Sequence, residues 1–321
     1  MAAALECERL GVDYILLERA AFPRHKPCGG VLPWRVLELL ELPEELVESP
    51  LKGYRIHSAN FTAESLFPAP GASVSRYRFD AYLASLPERQ PVKLRVTGVK
   101  EDGRRALVLC SGRRLKAEYV IGADGANSVV RRCMGVSYSR FASACQYLIE
   151  LEQVEERIGE WFEVYYLFTR GYGWLVPLRG GVRAGVGGLG FGRRQLESFL
   201  HMPAVAEKLE GGRILAYEAH RIPMQGPAER LASRRVLLCG DAGGFVYPGT
   251  GEGIYYALLS GAAAARAVAA ALGGESLEQA YSRECSALEH LRRADFLDRV
   301  LGSEELADRY VKRLSKLGTR F

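Results

Sequence analysis

Three places in this chain set an acid or a thiol beside glycine at a spacing that can do chemistry, and a fourth closes an apolar strand with an acid. Residues 234–265 read RRVLLCGDAGGFVYPGTGEGIYYALLSGAAAA, in which an apolar strand ends at Gly240-Asp241. A loop carrying Gly243, Gly244, Gly249 and Gly251 then feeds a helix predicted to begin near Gly251, with Gly253 and Ile254 in its entry. Unpaired N–H groups and the positive end of the helix dipole converge at such a point and suit an anion or an electron-rich ring edge. Asp241, at the strand's carboxyl end, is placed to accept a hydrogen bond from a ribose or ribityl hydroxyl; a merely structural glycine crossover is the alternative. In residues 119–132, YVIGADGANSVVRR, a strand ends at Asp124-Gly125 with Asn127 or Ser128 available to cap the next helix. Lys26-Pro27-Cys28-Gly29-Gly30 lets backbone approach a flat ligand, which side chains would forbid; a turn with a space-filling thiol is the plain alternative.

The fourth place is the front of the chain, MAAALECERLGVDYILLER. An Ala/Leu/Glu-rich helical run ends at Gly11, and Val12 to Leu17 form an apolar strand closed by Glu18. That is the back half of a dinucleotide-binding βαβ unit, whose acid accepts from a ribose hydroxyl and whose glycine loop lies about twenty residues earlier. Counted back from Glu18, that loop falls before Met1, so the first strand and a GxGxxG loop are expected to be encoded upstream.

The elements that must position these residues follow from periodicity. Residues 20–33 read as loop and 34–48 as a helix. Short alternating segments from Gly53 to Val74 suggest strands, RFDAYLASLPE a helix, and residues 92–124 three strands separated by turns. Residues from about Gln146 to Met224 are rich in aromatic and β-branched types and read as a second, largely antiparallel sheet. The fold class is α/β: a Rossmann-like nucleotide-binding domain, N-terminally truncated, interrupted by a mostly antiparallel β substrate domain, with a C-terminal helical tail. The predicted boundaries are 1–52, 76–145 and 231–273 for the nucleotide-binding domain, 53–75 and 146–230 for the substrate domain, and 274–321 for the tail.

Composition excludes several classes. With 48% hydrophobic and 25% charged residues and a net charge of +5 spread along the chain, no nucleic-acid footprint is present. Seven cysteines show no CxxC pair and the five histidines no metal spacing, which predicts mostly buried thiols, a reducing cytoplasmic setting and no metal. Residues 254–272 are apolar but carry Ser260, Gly261 and Arg266, and read as a buried helix.

In the middle domain, Tyr172-Gly-Trp174-Leu-Val-Pro177 is followed after seven residues by Gly185-Val-Gly187. Two aromatic residues spaced by two on a strand put both rings on one face, and a proline at the strand end fixes the exit. Such a wall suits a long apolar chain. Gly185-Val-Gly-Gly-Leu-Gly190 is a literal GxGxxG, yet no βαβ unit surrounds it, and it is set aside as a phosphate loop.

Together, Gly240-Asp241 with PGTGEGI (248–254), the Asp124-Gly125 motif, KPCGG (26–30) and YGWLVP…GVG (172–187) resemble the flavoprotein family that contains geranylgeranyl reductases and aromatic hydroxylases. The GEGI form and the YxWxFP…GxG-like signature are similar to the geranylgeranyl reductases, with Val176 in place of the usual Phe. Tyr255-Tyr256 stands where aromatic hydroxylases commonly place an asparagine, which counts against hydroxylation.

The resemblance covers nearly the whole chain before the tail and implies FAD as cofactor. The implied contacts are Glu18, Cys28, Gly29, Val31, Arg76, Val96, Asp124, Gly125, Asp241, Gly251, Gly253 and Ile254. Arg76 stands for the family's arginine at the helix entry, whereas Arg78 reads equally well as a solvated charge. Cys28 is expected to shape the flavin environment without being a nucleophile, since no His lies within two residues of it.

The implied reaction is hydrogenation of isolated C=C bonds in a prenyl chain. Tyr172, Trp174 and Pro177 bind substrate, and Tyr172 is the candidate proton donor beside water or the flavin itself. The electron donor, whether NADPH, NADH or ferredoxin, is not legible, and the partner is a prenylated small molecule or lipid. A peripheral visit to the membrane surface is expected, with Arg309, Lys312, Arg313, Lys316 and Arg320 drawing on anionic lipid; a solvated helix face is the alternative. Two other readings stay open: a flavin monooxygenase or halogenase, and an inactive fragment or prenyl-lipid binder.

Overall fold

The helical run at the front folds as its pattern predicts: Ala2–Arg9 is a helix, and Gly11 at φ 66° turns the chain out of it. The computed structural model describes residues 1–292 and 299–317. The chain divides into two units, one of Met1–Arg24, Asp80–Phe141 and Ile222–Ala294, the other of His25–Phe79, Ala142–Arg221 and Asp295–Phe321.

The first unit is built on parallel strand pairs and a long helix. Val236–Leu238 pairs in parallel with Val120–Gly122, and Leu17–Glu18 with Val92–Lys93. The strand expected over 12–18 is thus only two residues long, because ladder bonds form only where Val92–Lys93 runs alongside. The segment before it is anchored differently: Val12 N–H donates to the Cys7 carbonyl at 2.8 Å. Val96–Glu101, Ala106–Cys110 and Arg113–Ala117 form the expected three-stranded meander, with Val96 half-buried at its start against the cluster around Val99, Val130 and Leu238.

Helix Ile254–Leu272 has the length and hydropathy of a membrane span, yet half of it is buried within the protein. Ala263, Ala264, Ala267 and Val268 enter the unit's core with Tyr281 and Leu288. Gly261 clears Ala2 and Ala3, so the two helices approach closely; a Cβ there would sit 3.2 Å from the Ala2 methyl.

The second unit is one eight-stranded, largely antiparallel sheet. Its order is Arg213–Pro223, Phe141–Glu150, Gly181–Gly188, Gly171–Leu178, Trp161–Phe168, Val47–His57, Thr62–Val74 and Val31–Leu32. One face packs on helix Arg193–Leu200, whose Leu196 and Phe199 meet Leu175, Ala184 and Val186 in a fully buried cluster. On the same face Glu163, fully buried, accepts hydrogen bonds from Arg55 (3.0 Å), Lys208 (2.5 Å) and Tyr165 (2.5 Å), and His57 stacks on the Tyr165 ring at 4.5 Å. A buried carboxylate persists only with such partners.

Residues 34–48 depart from the expected helix. Trp34–Leu37 makes one turn, Pro43 precedes a 3-10 turn at Glu44–Leu46, and strand pairing begins at Val47. Proline cannot continue the helix, and the following residues gain the Thr62–Val74 strand as a partner. Residues 25–52 also group with the sheet unit and not with the nucleotide-binding domain as the sequence predicts, because Val31–Leu32 pairs with Ser73 and Ala72. The last part of the tail does the same: helix Glu304–Leu317 buries Ala307, Val311 and Leu314, and Asp308 accepts from the Asn60 backbone and side chain at 3.2 and 2.6 Å, whereas residues 274–294 group with the first unit. Arg320 lies outside the described residues.

Candidate functional site

In the first unit three of the predicted acids end parallel strands or start helices. Glu18, at the end of its strand, accepts from the Ala20 N–H at 3.1 Å and pairs with Arg24 at 3.4 Å; Arg24 also reaches the buried Asp80 at 3.2 Å. One charged arginine thus fixes the Glu18 carboxylate and leaves part of it open to solvent, with the side chain 22% exposed.

Asp124 is more committed. Its carboxylate accepts from the Val129 and Val130 N–H groups at 2.6 and 3.2 Å and from the Ser128 hydroxyl, so it closes the start of helix Val129–Cys133. Ser128 is the cap the sequence offers, its Oγ accepting from Arg131 N–H at 2.8 Å. The adjacent Gly125, at φ 77°, is uncovered: a Cβ there would meet no atom within 4 Å.

Asp241 sits in a single helical turn, Gly240–Gly243, directly after its strand. The turn is pinned to the long helix, because the Gly240 N–H donates to Ser260 Oγ at 2.9 Å and that hydroxyl donates to the Tyr256 carbonyl at 2.6 Å. This accounts for the serine in the helix. Gly251 takes φ 71°, and Gly253 caps the helix, which begins at Ile254 and not at Gly251. Asp241 Oδ1 would lie 3.3 Å from a Cβ on Gly253, so the acid and the helix start share one small space. Tyr255 and Tyr256 are ring partners at 5.2 Å, and Tyr256 is buried in the core.

In the second unit the Cys28 loop is held from beneath. Gly30 takes φ 72° and lies against Val74, whose N–H donates to the Gly30 carbonyl at 2.8 Å. The buried Arg183 guanidinium donates to the carbonyls of Gly29 and Val74 at 3.2 and 3.1 Å, and burial pulls its pKa down. The Cys28 thiol is turned back, its Sγ accepting from the Gly30 N–H at 3.4 Å, while His25 pairs with Glu218 at 3.1 Å. Gly29 alone of the two glycines is bare, with nothing within 4 Å of where a Cβ would be. Val31 begins the strand that pairs with Ser73. Arg76 is half-buried at the start of helix Arg76–Ser85; Arg78 points outward, 3.8 Å from Glu48.

The aromatic pair behaves as its spacing predicts. Tyr172 and Trp174 share a face with ring centroids 5.8 Å apart, and Tyr166 extends the row at 6.3 Å. Trp174 is paired across the sheet with Gly185 and Tyr172 with Gly187. The two glycines are where the Trp174 ring lies: a Cβ on Gly187 would sit 3.1 Å from its Cζ3, and one on Gly185 would run into the indole. Gly185 and Gly187 are therefore strand residues that make room for a ring. Strand alternation puts Leu175 and Pro177 on the opposite face from Trp174, and the Pro177 carbonyl accepts from the Ser73 hydroxyl at 2.6 Å.

Three residues of this cluster escape a reading by motif: Gln146, Arg183 and Glu218. Gln146 is buried and accepts from the Trp174 indole N–H at 3.3 Å while donating to the Cys28 carbonyl at 3.0 Å and to Glu218 at 2.5 Å. Their signal in the sequence is register alone: Gln146 pairs with Gly185, which pairs with Trp174.

Within the first unit, the acceptors Glu18 and Asp241, the start of a 19-residue helix and the uncovered backbone of Gly125 are the residues that would hold a flavin nucleotide. Among the described residues no cluster of His, Cys, Asp or Glu is arranged to hold a metal ion.

Parallel strands with a glycine loop at a helix start, joined in one chain to a broad antiparallel sheet, define a flavin-dependent oxidoreductase of the aromatic-hydroxylase-like type. Residues 77–185 match the FAD binding domain family and residues 191–321 the lycopene cyclase protein family. The geranylgeranyl diphosphate reductase of Rhodobacter capsulatus is 30% identical, the match covering 84% of this chain and 72% of that protein. The menaquinone reductase of Mycolicibacterium smegmatis is 31% identical, with 82% and 72% covered. The chain belongs to the geranylgeranyl reductase family of FAD flavoproteins.

It is also 30% identical to the chloroplastic geranylgeranyl diphosphate reductase of Oryza sativa subsp. japonica, and spans 64% of that protein's length. Among solved structures, a geranylgeranyl bacteriochlorophyll reductase-like protein from Thermoplasma acidophilum superposes with a TM-score of 0.84 at 21% identity, over 98% of this chain and 88% of that one. A flavin-dependent brominase superposes at 0.75 and 17% identity, over 98% and 90%. At these identities the likeness is one of fold.

Proposed function

We propose that this chain holds FAD and hydrogenates isolated C=C bonds in the prenyl chain of a lipid, quinone or chlorophyll precursor. The observation that carries the reading is the Tyr172–Trp174 wall laid over Gly185 and Gly187, a flat apolar surface on the same unit as the Cys28 loop. Relatives named as geranylgeranyl diphosphate reductase and menaquinone reductase support the substrate class.

When bound, reduced FAD would supply the hydride for one alkene carbon. An unactivated alkene has no carbonyl to polarise, so the protein's work is to orient the double bond, exclude water and deliver a proton. In this reading the buried rings of Trp174 and Tyr166 form the apolar wall, and Tyr172, half-buried between them, is the candidate proton donor. Arg183 and Gln146 hold the Cys28 loop beneath its bare Gly29 face, and Cys28 shapes that surface through its backbone.

The test is anaerobic reoxidation of the dithionite-reduced, FAD-loaded chain by geranylgeranyl diphosphate or by a menaquinone in detergent. Loss of reduced flavin with a mass gain of two per double bond located in the prenyl chain, read after air has returned any quinol to quinone, supports the reading. Substrate turnover that requires oxygen supports the monooxygenase or halogenase alternative, and a colourless chain that retains no flavin supports the binder.

Membrane contact belongs to the same proposal. Helix Glu304–Leu317 turns its apolar side inward and leaves Arg309, Lys312, Arg313 and Lys316 exposed, although Arg309 pairs with Glu305 and Lys312 lies over the Phe61 ring at 5.2 Å. Flotation on anionic vesicles, lost on changing Arg313 and Lys316 to Gln, is the expected result; flotation that survives the change refutes it.

A further inference from the structure

The Trp174 wall and the Cys28 loop lie far apart in sequence, and one side chain touches both. Gln146 is 3% exposed, and every polar atom of its amide is used. Oε1 accepts from the Trp174 indole N–H, while Nε2 donates to the Cys28 carbonyl and to Glu218. This assignment of the amide is fixed by chemistry, because an indole N–H only donates and a carbonyl and a carboxylate only accept. A flipped amide would face an acceptor with an acceptor and a donor with a donor.

The geometry is set by the strands. Gln146 pairs with Gly185, Gly185 pairs with Trp174, and the three lie in a row across the sheet. Because Gly185 has no side chain, the indole lies across it and its N–H reaches Gln146. Glu218, held also by His25 at 3.1 Å, closes the far side of the amide.

We propose that Gln146 is a positioning residue for prenyl reduction: it sets the distance and tilt between the Trp174 surface and the Cys28–Gly29 backbone. The role rests on the functional reading above. A glutamine is suited to it, since one planar amide carries both a donor and an acceptor and so transmits a shift of the loop to the ring.

The experiment uses the full chain without flavin or substrate and reads two signals. The first is the rate of Cys28 alkylation by iodoacetamide, resolved by peptide mass mapping, with the exposed Cys133 as internal reference. The second is the Trp174 indole resonance in the chain labelled with 15N-tryptophan. Gln146→Leu, close in volume, is expected to speed Cys28 alkylation about fivefold to tenfold, the size expected when a buried hydrogen bond is lost from a local opening. It also shifts the Trp174 indole signal upfield.

Trp174→Phe keeps most of the ring and removes the donor. It is expected to speed alkylation as well, by a smaller factor, and serves if Gln146→Leu does not fold. Gln146→Glu keeps an acceptor for the indole and loses both donors, so it should loosen Cys28 while leaving the indole signal in place. Alkylation within twofold of the parent in Gln146→Leu and Trp174→Phe alike, with Cys133 unchanged, overturns the proposal. Since neither signal involves flavin or a prenyl chain, their failure removes the Gln146 assignment and leaves the reading of function standing, whereas failure of prenyl reduction removes the reading of function and leaves only the Gln146 link between Trp174 and Cys28.

Discussion

Trp174 lies directly opposite Gly185 across an antiparallel pair, with its indole over the position a side chain would occupy. The ring and the missing side chain form one unit of shape. A methyl group on Gly185 would also come within 2.7 Å of Gln146 Cβ, and both neighbours are buried. Gly185→Ala is therefore expected to displace the indole and to destabilise the chain by about 1–3 kcal/mol, the usual range for overpacking a core. Gly187→Ala, whose methyl would lie 3.1 Å from the ring edge, should have the smaller effect. Urea midpoints of the two variants check this, and equal midpoints at parent level would sink it.

Gly30 poses a different constraint. Its φ of 72° and its packing against the Val74 carbonyl leave no room for a side chain, and the Arg183 guanidinium is 2.9 Å from the same point. Gly30→Ala should cost about 2–4 kcal/mol, combining a left-handed backbone with a clash. Gly29→Ala meets nothing within 4 Å, so it should leave stability unchanged and weaken flavin binding. Thermal melting of the apo chain and flavin titration separate the two effects; a Gly29→Ala chain that binds FAD as the parent does would remove Gly29 from the cofactor surface.

His57 gives the sheet unit a pH signature. Burial, opposed by Glu163 and reinforced by Lys208 and Arg55, holds its pKa at about 4, against an ordinary 6.5; Glu64 acts with Glu163. The unfolded chain therefore binds the proton first. The contribution to stability is full above about pH 6.5 and is lost as pH falls towards about 4, with a total of about 3 kcal/mol. His57→Gln should flatten the urea midpoint between pH 7 and pH 4, and an unchanged slope in that variant would exclude His57 as the source.

Tyr172 is the fourth point of test. Tyr172→Phe keeps the ring contacts with Trp174 and Tyr166 and removes only the hydroxyl. As proton donor to the alkene its loss should slow single-turnover reoxidation by prenyl substrate about a hundredfold or more. Flavin binding should stay at the parent value, which separates the chemical step from loss of the cofactor. Undiminished reoxidation would pass the proton to water or to the flavin.

Much of the architecture was legible because it repeats in short, local patterns. Gly11 ending a helix, Ser128 capping one, the glycines before Ile254 and the alternation of Tyr172 with Trp174 each follow from one residue type at one spacing. Residues 34–48 misled because their apolar spacing is helical, while Pro43 and a waiting strand partner decide the outcome. The strand before Glu18 is short because strands are made by neighbours, which no segment encodes for itself. Asp124 shows the same limit at a site, since its carboxylate is occupied by the helix it starts. Gln146, Arg183 and Glu218 stand in no motif, and only the register of three strands brings them to Cys28 and Trp174.

The strand Gly181–Gly188 has glycine at 181, 185, 187 and 188, and it lies between Phe141–Glu150 and Gly171–Leu178. Each interior glycine lowers a strand's own stability by roughly 0.5–1 kcal/mol relative to alanine. During folding this segment has little reason to become extended before its neighbours exist, so it should join the sheet late, with mutations in it accelerating unfolding more than they slow folding. The flatness that lets the indole lie down should then make this strand a late-forming part of the sheet, so that the seating of the Trp174 ring is expected to come only with the completed sheet.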